Sequence, residues 1–220
     1  SGTGFFISTD GKIMTNKHVV SLLDGEKEKA EKVKETIQMA IVKRYPNNAG
    51  ALALARAVTV KYNIFYTGVA LNDTHVSSVN DFIPCSSCKE SNDDKIDIAI
   101  IQVNTKKTPD GVVNIVDLND IVTDKELQLG KKVYTIGFPQ SFILGDTEIG
   151  LEANNQSGEI TQQRGEYQYG HNITIHQGAS GSPVFNERGK FAGVIVSGYL
   201  GLSQGYNQAV QPKRAVELIK

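Results

Sequence analysis

Apolar residues recur along this chain mostly with a period of two, in short runs closed by glycine, proline or polar clusters. Lys95-Ile96-Asp97-Ile98-Ala99-Ile100-Ile101, Asn172-Ile173-Thr174-Ile175 and Phe191-Ala192-Gly193-Val194-Ile195-Val196 have the length and spacing of strands. One stretch departs from that rhythm. Between Asp24 and Arg44 the apolar positions Ala30, Val33, Ile37, Ala40 and Ile41 fall three and four apart with Glu and Lys between them, which predicts an amphipathic helix with Asp24 as its N-cap. Tyr45-Pro46-Asn47-Asn48 supplies a stop, and Ala49 to Ala57 forms a second, shorter helix before Val58-Thr59-Val60 returns to strand spacing. A polar connection from Asn104 to Lys125 carries the turn signal Pro109-Asp110-Gly111, and strands resume near Leu129. Pro212 to Lys220 sets Ala215, Val216, Leu218 and Ile219 on one helical face.

Size and charge narrow the function classes. At 220 residues and 40% hydrophobic content the chain can bury a sizeable core, as two small barrels or one larger domain. A net charge of -1 argues against a general nucleic-acid or anionic-membrane surface, which needs a concentrated basic field. No apolar run approaches the roughly 18 to 20 residues that cross a bilayer. Cys85 and Cys88, in the polar loop read from Ser78 to Asp94, are the only cysteines, so a structural zinc site would lack ligands and the pair reads as a loop clip or as free thiols. Neither a metal nor an organic cofactor is expected.

The densest chemical signal is Gln177-Gly178-Ala179-Ser180-Gly181-Ser182-Pro183-Val184, a serine between two glycines in a turn. A serine hydroxyl becomes nucleophilic only when a neutral imidazole takes its proton and a carboxylate fixes that imidazole. His18, in Thr15-Asn16-Lys17-His18-Val19-Val20, is the candidate base, and Asp97, alone among apolar neighbours, the candidate acid. An unpaired carboxylate in such a run is costly to bury, so Asp97 demands a partner. Asp93 and Asp94 read as solvated loop acids, and His75 and His171 as ordinary surface or satisfied histidines. The backbone N–H groups of Gly178 and Ser180 would form an oxyanion hole. No histidine follows Ser180, which removes the α/β-hydrolase order of Ser, acid, His and leaves the order His, Asp, Ser.

With those residues in place, the chain resembles the trypsin-like serine peptidases of chymotrypsin fold, and among them the bacterial high-temperature-requirement branch. Ser1-Gly2-Thr3-Gly4-Phe5-Phe6-Ile7-Ser8 and Gly11 to Val20 resemble that branch's strand, turn and histidine block. Lys95 to Ile101 resembles its aspartate strand, Val133 to Pro139 the opening strand of its second barrel, Ser157-Gly158-Glu159-Ile160 a later strand, and Gly205 to Val210 the last strand before a C-terminal helix. Two positions depart from the pattern. Ala179 stands where the family usually has Asp or Asn, and Ser182 where Gly is commonest, so Gly178 to Asn186 reads more like the glutamyl endopeptidases. The resemblance also implies a further strand ahead of Ser1.

The resemblance implies an all-β fold of two six-stranded antiparallel barrels, with a helical insertion after the catalytic histidine and a short C-terminal helix. Residues 1–115 would form the first barrel, with the insertion at about 24–57, and 116–220 the second barrel plus helix. It implies a serine endopeptidase acting through His18, Asp97 and Ser180 on a polypeptide substrate, extracytoplasmic in location and by analogy a homo-oligomer. The specificity pocket would be lined by Thr174, Ile175, His176 and Gln177 before the nucleophile and by Ser197, Gly198 and Tyr199 after it. Thr174, uncharged at the pocket floor, predicts cleavage after small or medium apolar residues, and His176 raises an acidic preference as the runner-up. The alternatives are a peptide-binding protein of the same fold without turnover, and an esterase using the same groups.

Overall fold

The computed structural model describes residues 2–20, 24–60, 66–139, 150–196 and 207–219, with backbone only for 24–29 and Ser87. Two compact units emerge: a larger one formed by Ser1–Val20 with Tyr66–Lys220, and a smaller one formed by Ser21–Phe65.

The larger unit is mostly β. Its first sheet has five strands in the order β1-β2-β5-β4-β3, comprising β1 (Phe5–Phe6), β2 (Lys12–Thr15), β3 (Gly68–Val69), β4 (Ile83–Glu90) and β5 (Ala99–Val103). Every pairing is antiparallel. The second sheet closes on itself as a six-stranded barrel in the order β10-β11-β8-β7-β6-β9. Its strands are β6 (Lys132–Gly137), β7 (Asn154–Arg164), β8 (Gln168–His171), β9 (Pro183–Asn186), β10 (Phe191–Val196) and β11 (Asn207–Val210). Closure leaves no unpaired strand edge in this half. The fold is therefore chymotrypsin-like, with one closed barrel and one half-barrel sheet. Six strands were expected in the first half. Five are found among the described residues, and its edge strands β1 and β3 are only two residues each, too short to meet and close the ring.

Alternation gives a strand one buried face, as on β6, where Val133, Thr135 and Gly137 are the buried positions. On β10 the burial is nearly continuous, as befits a strand flanked by core on both sides. One core cluster fills the closed barrel with Val133, Ile160, Tyr169, Ile173, Val184 and Ile195. A second cluster joins the two sheets: Phe5, Met14, Ile96 and Ile98 meet Phe191, Val194 and Val210, with the Phe5 and Phe191 ring centroids 5.7 Å apart. The last helix, Pro212–Glu217, begins with its proline at the first turn and sends Ala215 into this shared cluster.

Three readings of the sequence change. The Ser78 to Asp94 segment is not a loop throughout, because β4 runs through it and pairs with β5 from Cys85↔Val103 to Glu90↔Ala99. Pro84, lacking an N–H, sits opposite Gly68 of the short strand β3, where the ladder is only two pairs long. Val58-Thr59-Val60 joins no strand. Asn172 to Ile175 keeps the alternation of exposed and buried side chains but enters no ladder among the described residues, since β8 ends at His171.

The smaller unit is a pair of helices, α2 (Asp24–Arg44) and α3 (Ala49–Ala57), following the single turn α1 (Lys17–Val20) of the larger unit. Asn48 caps α3 by accepting from the Ala51 N–H, so the predicted stop also starts the next helix. Gln38 of α2 donates to the Ala55 carbonyl at 3.0 Å. Val33 and Ile37, on the apolar stripe read from the sequence, are exposed, and Ala55 is the buried hydrophobic residue of this pair.

Candidate active site

The ladder between β2 and β5 pairs Thr15 with Ala99. His18 lies three residues beyond one strand and Asp97 two residues ahead of the other, so the antiparallel register brings them to the same end of the sheet. The buried Ile96 and Ile98 anchor the segment on either side of Asp97, and alternation turns the carboxylate away from that core. The Asp97 Oδ2 lies 2.5 Å from His18 Nδ1, and Oδ1 accepts the His18 backbone N–H at 3.0 Å. An ionised carboxylate only accepts, so Nδ1 carries the proton toward Asp97 and Nε2 is left with its lone pair. Asn16, fully buried, donates its side-chain N–H to the Asp97 carbonyl at 2.7 Å. Lys17 reaches the Ser91 carbonyl at 3.2 Å and stands 3.7 Å from Asp94, which keeps that competing acid in an exposed pair.

Two turns share Ala179, and Ser180 is the second residue of the later one. In the first, the Ala179 N–H donates to the His176 carbonyl with Gly178 at φ +97°; in the second, the Ser182 N–H donates to Ala179 with Gly181 at φ +87°. A negative φ followed by a positive one is the type II pattern, which needs glycine at its third position. At Gly181 the reason is also steric, because a Cβ there would sit 2.1 Å from the Thr3 carbonyl oxygen. The amides of Gly178 and Ser180 donate to no group among the described residues.

The histidine turn and the serine turn converge on Gly2. A Cβ placed there would lie 2.6 Å from Val19 Cγ2 and 2.9 Å from the Ser180 carbonyl oxygen. Next to it, Thr3 is 3% exposed and makes a series of hydrogen bonds. Its N–H donates to the Ser180 carbonyl at 2.7 Å, its Oγ1 donates to the Gly178 carbonyl at 2.8 Å and accepts the Phe138 N–H at 2.9 Å, and its carbonyl accepts the Thr15 hydroxyl at 2.7 Å. Sequence reading did not single out Thr3 or Asn16. The signal for Asn16 was an amide two residues before His18, and Thr3 between two glycines reads as an ordinary turn residue.

Of the expected pocket residues, Thr174, His176 and Gln177 are exposed and Ile175 is buried in the barrel core, while Ser197, Gly198 and Tyr199 lie outside the described residues. Ser182, fully buried, has a hydroxyl with no hydrogen-bond partner among the described residues, and Gly137 passes so close that a Cβ there would overlap it at 2.1 Å. His171 is corrected from an ordinary histidine to a buried one: it is 0% exposed, and among the described residues neither ring nitrogen makes a well-formed hydrogen bond. Burial pushes its pKa down to about 4, opposed by the Gln208 carbonyl nearby.

The cysteines are free. Cys85 points into the core between Ile83 and Val103, and burial pushes its thiol up to about 11, whereas Cys88 sits at a bulge on the outer face beside Gln102. Among the described residues, no group of His, Cys, Asp and Glu is placed to hold a metal ion, and no helix is long and apolar enough to cross a membrane.

No curated sequence matches the chain. The trypsin-like peptidase domain family does, over residues 2–194, a span that takes in the first sheet, the second as far as β10, the His18 turn, Asp97 and the Ser180 turn. That extent, on a half-barrel followed by a closed six-stranded barrel, makes this chain a member of the trypsin-like peptidase domain family, with a polypeptide as its substrate class.

Proposed function

We propose that the chain is a serine endopeptidase in which His18, Asp97 and Ser180 act as a triad. The observation that carries the reading is the pairing of His18 Nδ1 with Asp97 Oδ2 at 2.5 Å, which leaves Nε2 as the free base. In the reaction His18 takes the Ser180 hydroxyl proton as Oγ attacks the scissile carbonyl carbon. Negative charge then develops on the carbonyl oxygen, and the unengaged amides of Gly178 and Ser180 are the donors that would receive it. Collapse of this intermediate breaks the C–N bond, with the proton on His18 passing to the leaving amine. Water, deprotonated by the same imidazole, hydrolyses the acyl-enzyme and restores Ser180.

The finer parts of the reading rest on sequence similarity. The motif blocks around His18 and Asp97 favour the high-temperature-requirement branch, while Gly178 to Asn186 leans toward the glutamyl endopeptidases. An uncharged Thr174 supports cleavage after small or medium apolar residues rather than after Lys or Arg. A peptide library cleaved chiefly after glutamate would overturn that preference.

A fluorophosphonate probe tests the core of the reading, because phosphonylation requires an activated hydroxyl. The folded protein should be modified at Ser180 and should cleave an unfolded protein substrate, and Ser180→Ala should do neither. Wild type that stays unlabelled and inactive would refute the peptidase and leave a peptide-binding protein of the same fold. Turnover of esters without turnover of peptides would leave an esterase.

A further inference from the structure

We infer that Thr3 is a positioning residue for the oxyanion donors, holding the Gly178–Ala179 peptide in the one orientation that aims the Gly178 amide outward; the inference rests on the proposed serine-peptidase reading. The reasoning starts from the peptide planes of the serine turn. The 178–179 plane is held at both ends, its carbonyl by the Thr3 hydroxyl at 2.8 Å and its N–H by the His176 carbonyl at 3.0 Å. The 180–181 plane is likewise held at both ends, its carbonyl by the Thr3 N–H at 2.7 Å and its N–H by the Ile195 carbonyl at 2.9 Å. Between them the carbonyl of the 179–180 plane accepts from Ser182. Thr3 is thus the one residue that grips both flanking planes.

Such a grip is needed because Gly178 has no Cβ. A residue with a side chain would resist leaving its conformation, but glycine visits positive and negative φ about equally, so φ +97° must be enforced from outside. His176 restrains one end of the plane through a turn hydrogen bond whose acceptor side, His176 and Gln177, is exposed. Thr3 restrains the other from a buried site, its hydroxyl donating to Gly178 and accepting from Phe138. Its carbonyl is fixed in turn by the Thr15 hydroxyl at the end of β2, three residues before His18. One threonine therefore ties the donor turn, the first strand of the closed barrel and the strand leading to the base. Loss of the hydroxyl leaves the Gly178 carbonyl and the Phe138 N–H unpaired, and the cheapest relief is rotation about Gly178, which carries its N–H off the oxyanion.

The test replaces Thr3 by valine, which keeps the shape and removes the hydroxyl, and by serine, which keeps the hydroxyl and removes the methyl. Thr3→Val should lower kcat about 10- to 100-fold with KM held within about threefold, since an oxyanion donor acts on the transition state and not on the bound substrate. Affinity for a peptide boronate, whose tetrahedral adduct presents the same oxygen, should fall by the same factor. Thr3→Ser should recover most of the lost kcat. A merely structural role would instead lower the unfolding midpoint and leave kcat per folded molecule unchanged. Equal kcat in folded Thr3→Val and wild type, or no recovery in Thr3→Ser, overturns the inference. If Thr3→Val does not fold, Thr3→Ala leaves the same two groups unpaired without the extra methyl, and the same criteria apply. The two readings fail separately: wild type unreactive to fluorophosphonate defeats the peptidase, whereas reactive wild type with an equally fast Thr3→Val defeats only the role of Thr3.

Discussion

Replacing His171 by leucine should flatten the acid side of the stability profile. The imidazole sits at 0% exposure without a well-formed hydrogen bond among the described residues, and burial depresses its pKa to about 4 against an unfolded value near 6.5. Between those two values the unfolded chain binds a proton that the native state refuses, so native stability falls as pH falls through that window. The difference of about 2.5 units corresponds to roughly 3 kcal/mol at the acid limit, of which about 2.5 kcal/mol is already lost at about pH 4.5 and almost none at about pH 7.5. Urea unfolding of wild type and His171→Leu at those two pH values gives the double difference. Other titrating groups contribute equally to both proteins and cancel, and any repacking cost of leucine is independent of pH. Wild type should therefore lose about 2 to 3 kcal/mol more than the variant on acidification. Parallel losses would show that the buried ring titrates normally, and the burial argument would fail.

Further outcomes follow from the site and the sheets. Gly181→Ala should unfold the serine turn or cost more than about 3 kcal/mol, because its Cβ would lie 2.1 Å from the Thr3 carbonyl at φ +87°; a thermal midpoint near wild type would contradict that geometry. Asp97→Asn should reduce kcat by about 10³ to 10⁴-fold while leaving the fold intact, since an amide can hold the ring in the wrong tautomer; steady-state kinetics with circular dichroism checks it, and a loss under tenfold would remove Asp97 from the triad. Iodoacetamide at neutral pH should alkylate Cys88 well before Cys85, whose thiol is buried and pushed up to about 11, and peptide mass mapping reads the order. The same mapping should find no bond between the two cysteines, because β4 turns them to opposite faces of the sheet.

How much of this was legible in the sequence depended on whether a residue's signal was local. Strands β5 and β10 show as short apolar runs, β6 shows through its resemblance to a known strand, and Asp97 stands out because an acid in an apolar run needs a partner. Strand β4 did not, since Pro84, two serines and two cysteines supply little apolar contrast and its inward face is marked chiefly by Ile83 and Cys85. The helices formed where the three-and-four spacing put them, yet the exposed Val33 and Ile37 show that periodicity gives the element without giving its partner. His171 could have been flagged, because two residues either side on the same face are Tyr169 and Ile173, both fully buried. Thr3 could not: its bond to Gly178 joins positions 175 residues apart, and nothing in Gly-Thr-Gly encodes that meeting.

The core cluster shared by Phe5, Met14 and Ile98 from one sheet and Phe191, Val194 and Val210 from the other has a consequence for how such chains can be recombined. A seam of this kind makes the halves obligate companions: a chimera that takes its amino-terminal sheet from one relative and its carboxy-terminal barrel from another inherits mismatched knobs at Phe5 and Phe191. Exchange should succeed only when that set of contacts travels as a unit, whatever the loops around it are allowed to do.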